Sequence, residues 1–210
     1  TFLLLEGSPK VRRQFIDWLV FHVEHKFFQV WKDCQRCLKH RNSLLRHDRI
    51  DPFELSTWDQ ELVLLTEQLH LYRADCFEIF KTTFYELVQE FISVDGIAIG
   101  YYRGWDKEKS YSDVLAASID RDRQQGYTHM GSHRADLRIT VNGQNAAEIL
   151  SRGQQKLLVC ALKIAQGYVF SRITGRKTVY LIDDLPAELD EKHRELLTRW
   201  LDAMSTQVFI

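Results

Sequence analysis

One apolar pattern constrains the fold of this chain more than any other feature of its sequence. Apolar side chains recur at steps of 4, 3, 4, 3, 4 and 3 residues, at Trp58, Leu62, Leu65, Leu69, Tyr72, Cys76 and Ile79. A mean step of about 3.5 residues is typical of a helix that packs along a second long helix. Helical spacing of apolar residues over 27–47 supplies that second helix. The two helices, connected through polar residues 46–56, predict an antiparallel arm.

Composition supports a folded, helix-rich protein. The chain has 210 residues, of which 45% are hydrophobic, with only 10 Gly and 3 Pro. This composition excludes wholesale disorder and a collagen-like fibre, and it favours long helices. The chain has 28 Lys and Arg against 29 Asp and Glu, a balance that argues against a polycationic nucleic-acid coat. A balanced total still allows a basic surface at one place on the protein.

The last third of the chain predicts a different architecture. Composition predicts a strand over residues 97–102, and residues 135–141 alternate polar and apolar before the hairpin dipeptide Asn142-Gly143. A helix over 157–173, a strand over 179–182, a helix over 190–204 and a strand over 208–210 follow. This alternation predicts a parallel sheet flanked by helices.

Both ends of the chain are apolar, at residues 2–5 and 208–210. Because complete domains usually finish in polar segments, we expect the chain to be a piece of a longer protein. We also expect neither a secretory leader nor a membrane span, because no leader pattern and no apolar run of about 18 residues occurs. The four scattered cysteines favour a reducing cytosol.

Two short segments could carry chemistry. The apolar run 179–182 ends in Asp183 and Asp184, which could hold Mg²⁺ and orient a water, or could be solvated acids at a strand end. Ser151-Arg152-Gly153-Gln154 precedes the apolar helix, where it could form an anion site or simply cap the helix.

The arrangement of these segments is more specific than either alone. Three segments in this order resemble the signature, Walker B and D-loop series of ABC-type ATPases. They are residues 150–156, Asp183, which lies 32 residues after Ser151, and Ala187-Glu188-Leu189-Asp190. Two further segments resemble motifs of the RecF family. They are residues 7–17, which include Arg12 and Arg13, and residues 131–137, which include His133 and Arg134. The resemblance covers essentially the whole chain.

The resemblance implies an α/β ABC-ATPase-type lobe plus a mainly helical arm domain with a few strands. Residues 1–8 would end a first ATPase lobe, and residues 9–125 would form the arm, with a short strand region near 96–102. Residues 126–210 would form a second ATPase lobe, truncated at its end.

The resemblance also implies a candidate site. The signature would contact, in trans, the γ-phosphate of ATP held by an opposite subunit; its residues are Ser151, Arg152, Gly153 and Gln154, supported by Gln155 and Lys156. The other implied roles are Mg²⁺ coordination by Asp183, orientation of the attacking water by Asp184, and a dimer contact in the D-loop by Asp190.

The function implied by the resemblance is an ATP-dependent DNA-binding clamp of bacterial recombinational repair and replication. It would bind single- and double-stranded DNA at gaps, act with RecO and RecR to load the recombinase, dimerise with ATP and hydrolyse ATP slowly in the cytoplasm. The alternatives are half of another ABC-type ATPase and an arm protein that does not hydrolyse ATP.

Three substitutions and one absence depart from the ABC and RecF patterns. Arg152 replaces the first Gly of the common signature, Asp184 replaces the usual Glu, and Ser132 replaces the Pro expected in Gly-Pro-His-Arg. No Gly-x-x-x-x-Gly-Lys-Ser/Thr occurs, so these 210 residues contain half of an ATP site, and we expect them to be inactive alone.

Several weaker patterns keep two interpretations. Cys34-x-x-Cys37-x-x-His40 could ligate zinc or place buried thiols on the arm. The basic clusters 10–13 and 172–177 could contact DNA or be solvated faces. Arg12 and Arg13 could contact DNA or pair with Asp17, while His133 and Arg134 could sense nucleotide or stabilise their loop. Trp31, Trp58 and Tyr72 are interpreted as arm packing.

Overall fold

The computed structural model describes residues 2–47, 49–182 and 189–209. In chain order, the elements are α1 (Leu3–Glu6), α2 (Pro9–Val23), α3 (Phe27–Leu44), α4 (Pro52–Phe91), β1 (Ile97–Tyr102), α5 (Tyr111–Gln125), a 3₁₀ turn (Ser132–Arg134), β2 (Asp136–Val141), β3 (Gln144–Asn145), α6 (Ala146–Ile149), α7 (Arg152–Thr174), β4 (Val179–Leu181), α8 (Glu191–Ala203) and β5 (Gln207–Phe209).

The contacts divide the chain into two compact units. The first unit contains Thr1–Val23, Cys76–Gly100 and Leu137–Ile210, and the second contains Glu24–Asp75 and Tyr101–Asp136. Each unit is therefore assembled from segments that are distant in sequence. These units do not follow the linear boundaries at residues 8 and 125, and the assignment of those stretches to ATPase lobes and arm stays a prediction.

The second unit contains the predicted antiparallel helix pair. Cys37, late in α3, donates from its thiol to the carbonyl oxygen of Trp58 at 3.3 Å, near the start of α4. Cys34, one turn earlier, contacts the hydroxyl of Thr66 at 3.6 Å, further along α4. The two helices therefore run in opposite directions, as the apolar spacing predicts.

The start of α4 differs from the prediction. The sequence predicts residues 52–56 in the connection, and this prediction is wrong because α4 begins at Pro52. Proline suits the first helical position, where its missing N–H would have no partner, and the Asp51 carboxylate accepts from the N–H of Phe53 at 2.9 Å. The Asp51-Pro52 pair is therefore a helix start.

A buried ionic network ties the second unit together. The Arg41 guanidinium is fully buried and donates to Asp122 at 2.8 Å, to Thr128 at 2.7 Å and to Asp59 at 2.5 Å. Burial alone would lower the pKa of Arg41, but the hydrogen bonds and charges of Asp59 and Asp122 outweigh it, so the pKa lies above its ordinary value. Asp122 also accepts from the backbone N–H of His129 at 3.1 Å. The network joins three segments that are far apart in sequence.

The first unit is built around α7. Leu158, Leu162 and Val169 of this helix are buried, and Gln166 donates to the carbonyl oxygen of Phe15 on α2 at 2.6 Å. By length and composition α7 could cross a membrane, but buried core helices pass the same test, and 56% of its most apolar stretch is buried within the protein. It is the core helix of its unit.

Among the described residues, two small sheets lie mainly in the first unit. Strands β1, β2 and β3 form one sheet, in which β2 and β3 are antiparallel and joined at Asn142-Gly143, both with positive φ, as the dipeptide predicts. Strands β4 and β5 pair in parallel, so the predicted parallel arrangement is confirmed for this pair. One face of the β4–β5 sheet exposes Val179, Leu181 and Phe209.

Candidate functional site

The predicted signature lies at the N-terminus of α7. Ser151 is the N-cap: its hydroxyl accepts from the N–H of Gln154 at 3.4 Å, while the Gln154 side chain accepts from the N–H of Ser151 at 2.9 Å. This capping box fixes the start of a helix of 23 residues. The first-turn N–H groups of Arg152 and Gly153 have no partner within the helix, and they lie at its positive dipole end. The geometry suits an anion.

Gly153 stands on the exposed surface of this helix start. A Cβ atom built at this position would meet nothing within 4 Å in the described protein. Glycine is a poor helix former, and no packing contact with the residues that the structure describes requires it here. The glycine instead leaves the backbone open to close approach by a group from outside the chain.

The neighbouring signature residues make contacts within the first unit. Arg152 forms a short ion pair with Glu6, and its guanidinium lies 5.0 Å from the ring centroid of Phe2. Gln155 is buried and donates to the carbonyl oxygens of Ala147 and Leu150 at 2.9 and 3.0 Å. Gln155 thereby holds the chain that leads into the signature, a positioning role that its place in the motif did not reveal.

The predicted metal and catalytic residues, Asp183 and Asp184, lie outside the described residues, as do Ala187 and Glu188 of the D-loop motif. The strand leading to them is described up to Ile182, whose N–H donates to the carbonyl oxygen of Phe209 at 2.9 Å. Carboxyl ends of parallel strands are the usual ligand-binding edge of α/β folds. Among the residues that are described, no group of three or more metal-binding side chains occurs.

Tyr180 and Gly167 connect β4 to the signature helix. The Tyr180 hydroxyl lies 1.9 Å from where a Cβ atom of Gly167 would be, and it donates to the carbonyl oxygen of Lys163 at 3.3 Å. Burial raises the pKa of Tyr180 to about 12. Glycine therefore lets the ring lie against α7, which fixes β4 relative to the helix that carries Ser151. A glycine inside an apolar helical pattern is the signal that could have revealed this contact.

Asp190 caps α8. Its carboxylate accepts from the backbone N–H of His193 at 2.9 Å and contacts the His193 Nδ1 atom at 2.7 Å. These hydrogen bonds, the backbone one first, lower the pKa of the exposed Asp190 carboxyl. The side chain therefore has a local structural role, and its exposure leaves it accessible to another molecule.

The two pairs of motif residues named as DNA-binding or structural also make local contacts. Arg12 donates to the carbonyl oxygen of Gly7 at 2.7 Å, at the end of α1, and Arg13 is half-buried. In the second unit, His133 contacts the carbonyl oxygen of Thr128 at 3.0 Å, and the exposed Arg134 lies 5.9 Å from the ring of Tyr127. Arg12 and His133 thus stabilise backbone turns.

Ser132 occupies the turn where the RecF pattern has Pro. It is buried, its hydroxyl contacts the Cys34 thiol at 3.5 Å, and its carbonyl oxygen accepts from Arg73 at 2.8 Å. Cys34 and Cys37 are buried within the second unit, while the ring of exposed His40 stacks on Trp58 at 4.6 Å. The described contacts favour buried thiols over a zinc site.

Comparison with known proteins identifies similar sequences over the entire chain. No family model matches. The chain is 70% identical over all 210 residues to "DNA replication and repair protein RecF" of Cellvibrio japonicus (strain Ueda107), covering 58% of that protein. It is 53% identical over 210 residues to the protein of the same name from Pseudomonas paraeruginosa (strain DSM 24068 / PA7), covering 57% of it. The chain thus spans less than two thirds of these relatives.

Solved structures share the fold. The structure described as "the recombination mediator protein RecF-ATP in RecFOR pathway" matches with a TM-score of 0.88 at 23% identity, over 100% of this chain and 58% of that one. A second, of RecF-ATPrS, matches with a TM-score of 0.87 at 23% identity, over 100% and 59%. The chain therefore has the fold of these RecF structures, and its described residues are mainly helical with a few strands, as predicted.

Proposed function

Over its whole length this chain belongs to the RecF family, and from that premise we propose that it supplies the signature half of an ATP-dependent DNA-binding clamp. The clamp would act in bacterial recombinational repair and replication, in the cytoplasm. It would bind single- and double-stranded DNA at gaps and work with RecO and RecR to load the recombinase. In this proposal, residues 9–125 form the arm, and residues 1–8 and 126–210 belong to the two ATPase lobes.

The open helix start at Gly153 is the observation that supports the proposal most directly. Backbone N–H groups at the start of α7, with the capping hydroxyl of Ser151 beside them, suit an incoming phosphate group. Apart from its chain neighbours and its own helix backbone, no described atom lies within 4 Å of a Cβ built at Gly153, so a γ-phosphate could approach the backbone closely. ATP bound to one subunit would therefore join it to the signature of a second.

The rest of the site follows from the family assignment. Asp183 would hold Mg²⁺, which neutralises phosphate charge, and Asp184 would orient the attacking water. Asp190, already exposed at the start of α8, would contact the partner subunit in the dimer. Arg152, held by Glu6, would add positive charge beside the γ-phosphate. Positioning and charge neutralisation would supply most of the catalysis.

Slow hydrolysis fits this residue set. The Asp184 side chain is one methylene shorter than the Glu usual at that position, so it would reach the attacking water less easily. The 210 residues contain no P-loop sequence, and we expect them to bind and hydrolyse ATP poorly by themselves. ATP would act mainly as the ligand that closes the dimer, and its hydrolysis would open it.

Substitution of Ser151 by Arg tests the trans contact in a RecF-family protein that combines these residues with a P-loop. The large cation would fill the space in front of the helix start, so we expect ATP-driven dimerisation to be lost. Nucleotide binding to the monomer should stay within about twofold of wild type, because the P-loop half is unaltered. Sedimentation with and without ATP and Mg²⁺ measures the first quantity, and titration of a fluorescent ATP analogue measures the second.

Ser43→Arg is the matched control, because Ser43 is exposed on α3 and outside the candidate site. It should dimerise like wild type. Loss of monomer nucleotide binding in Ser151→Arg would contradict the trans assignment, since it would place Ser151 at its own subunit's nucleotide. A wild-type protein that fails to dimerise with ATP and Mg²⁺ would favour the alternative of an arm protein without ATP-driven assembly.

A further inference from the structure

The solvent-facing side of α3 carries a row of basic side chains. Lys32, Arg36 and Lys39 are exposed, and their spacing of four and three residues places them on one face of the helix. The opposite face is buried and consists of Phe27, Val30, Cys34, Cys37 and Arg41. We call Lys32, Arg36 and Lys39 the basic stripe; it extends about 10 Å along the helix axis.

The charge of this segment differs from that of the rest of the chain. Residues 25–47 contain six Lys and Arg against one acid, Asp33, whereas the whole chain has 28 against 29. Arg36 pairs with Asp33 at 3.1 Å, but its side chain stays 62% exposed. Lys32 and Lys39 form no ion pair with any residue the structure describes. The stripe therefore keeps an excess of positive charge in water.

A solvated helix face of ordinary composition looks different. On α8 of the same chain, acids and bases alternate on the exposed side, at Glu191, Lys192, Glu195, Arg199 and Asp202. Mixed signs of this kind stabilise a helix through neighbouring pairs. The basic stripe gains little from such pairs, and like charges at this spacing repel each other. Its composition therefore favours an external polyanion as the partner.

We propose that the basic stripe of α3 contacts the phosphate backbone of DNA, and that it does so without nucleotide. This proposal rests on the proposed function, since it assigns a DNA-contacting surface to the clamp. A row of cations separated by one helical turn suits a strand of regularly spaced phosphates, and each contact releases condensed counterions. Phe28 and Trp31, 51% and 37% exposed at the start of the same helix, add apolar surface next to the cations.

Salt dependence of DNA binding tests the proposal on the chain itself. The probe is a fluorescent 30-base-pair duplex, titrated in 50 to 200 mM salt without nucleotide. Each lost phosphate contact reduces the slope of log K against log salt by about 0.9, so Lys32→Gln/Lys39→Gln should reduce it by about 1.8. Raising the salt from 50 to 200 mM should therefore weaken DNA binding of the double variant by a factor about 12 times smaller than for wild type. Lys32→Arg/Lys39→Arg should retain the wild-type slope.

Lys107→Gln/Lys109→Gln is the charge-matched control, because both of these lysines are exposed in a loop of the second unit. An equal loss of slope in the control would overturn the proposal, and so would a wild-type slope in Lys32→Gln/Lys39→Gln. Displacement of the duplex by polyglutamate at equal charge concentration would overturn it too, by indicating an acidic protein partner. Failure of the wild-type chain to bind the duplex at 50 mM salt would also refute it. The ATP-driven dimer, measured without DNA, tests the proposed function separately.

Discussion

The substitution Gly153→Ala separates a role in folding from a role in assembly. It adds one methyl group to the first turn of α7, where a Cβ atom would meet no described atom beyond its own helix within 4 Å. Alanine is the best helix former and restricts the unfolded chain, so the free energy of unfolding should rise by about 0.4–1 kcal/mol. For a chain of this size that corresponds to about 1–4 °C in melting temperature, measurable by circular dichroism.

The same methyl group would stand between the helix backbone and an incoming γ-phosphate. In a RecF-family protein that carries both this site and a P-loop, ATP-driven dimerisation should weaken at least tenfold, or by about 1.4 kcal/mol. Sedimentation at several protein concentrations measures that change. Gly100→Ala is the control, since a Cβ atom built at Gly100 in β1 also meets no described atom within 4 Å apart from its chain neighbours. It should leave the dimer unchanged.

Two results would refute this reasoning about Gly153. A variant that dimerises like wild type would show that the glycine does not admit a phosphate. A lower melting temperature would show that the alanine methyl group meets an obstacle, and that the open space at the helix start is closed in solution. The expected outcome, a more stable protein that assembles less well, is one that damage to the fold cannot produce.

Two further substitutions test packing and buried charge, both by urea unfolding. Gly167→Ala should lower the free energy of unfolding by about 1–3 kcal/mol, because its Cβ would lie 1.9 Å from the Tyr180 hydroxyl. Adding Tyr180→Phe should restore part of this stability, and no recovery would contradict the contact. Asp122→Ala should cost about 3–5 kcal/mol because it leaves Arg41 buried without one of its two carboxylates. The double variant Arg41→Met/Asp122→Leu should lose less unfolding free energy than Asp122→Ala, because no unpaired charge stays buried. An equal or larger loss would contradict a dominant role for the unpaired charge.

Local chemistry explains what the sequence predicted well. Apolar spacing predicts α3, α4 and α7, and the Asn142-Gly143 dipeptide predicts the β2–β3 hairpin. Helix capping is one of the two interpretations of Ser151, and the structure places Ser151 at the N-cap of α7. Each depends on residues that are close in sequence. The early start of α4 was missed because Asp51-Pro52 can form either a turn or a helix start, and only the following residues decide between them.

Contacts between distant residues could not be predicted from one sequence. Arg41 and Asp122 are 81 residues apart, and nothing near either residue indicates its partner. The basic stripe, by contrast, is a local pattern of the sequence, but its cations are spaced more widely than those of the clusters at 10–13 and 172–177. Trp31, expected to pack within the arm, is 37% exposed beside that stripe. Helical position, more than local charge density, determines which cations share a surface.

The exposed face of the β4–β5 sheet affects how this chain behaves in concentrated solution. Val179, Leu181 and Phe209 present apolar surface on a two-stranded sheet, and Leu181 is 80% exposed. Strand edges and apolar sheet faces recruit further strands, which promotes aggregation. Such aggregates would grow with protein concentration, would not require ATP and would have no fixed stoichiometry. Light scattering at increasing concentration can therefore distinguish colloidal instability from a nucleotide-dependent dimer.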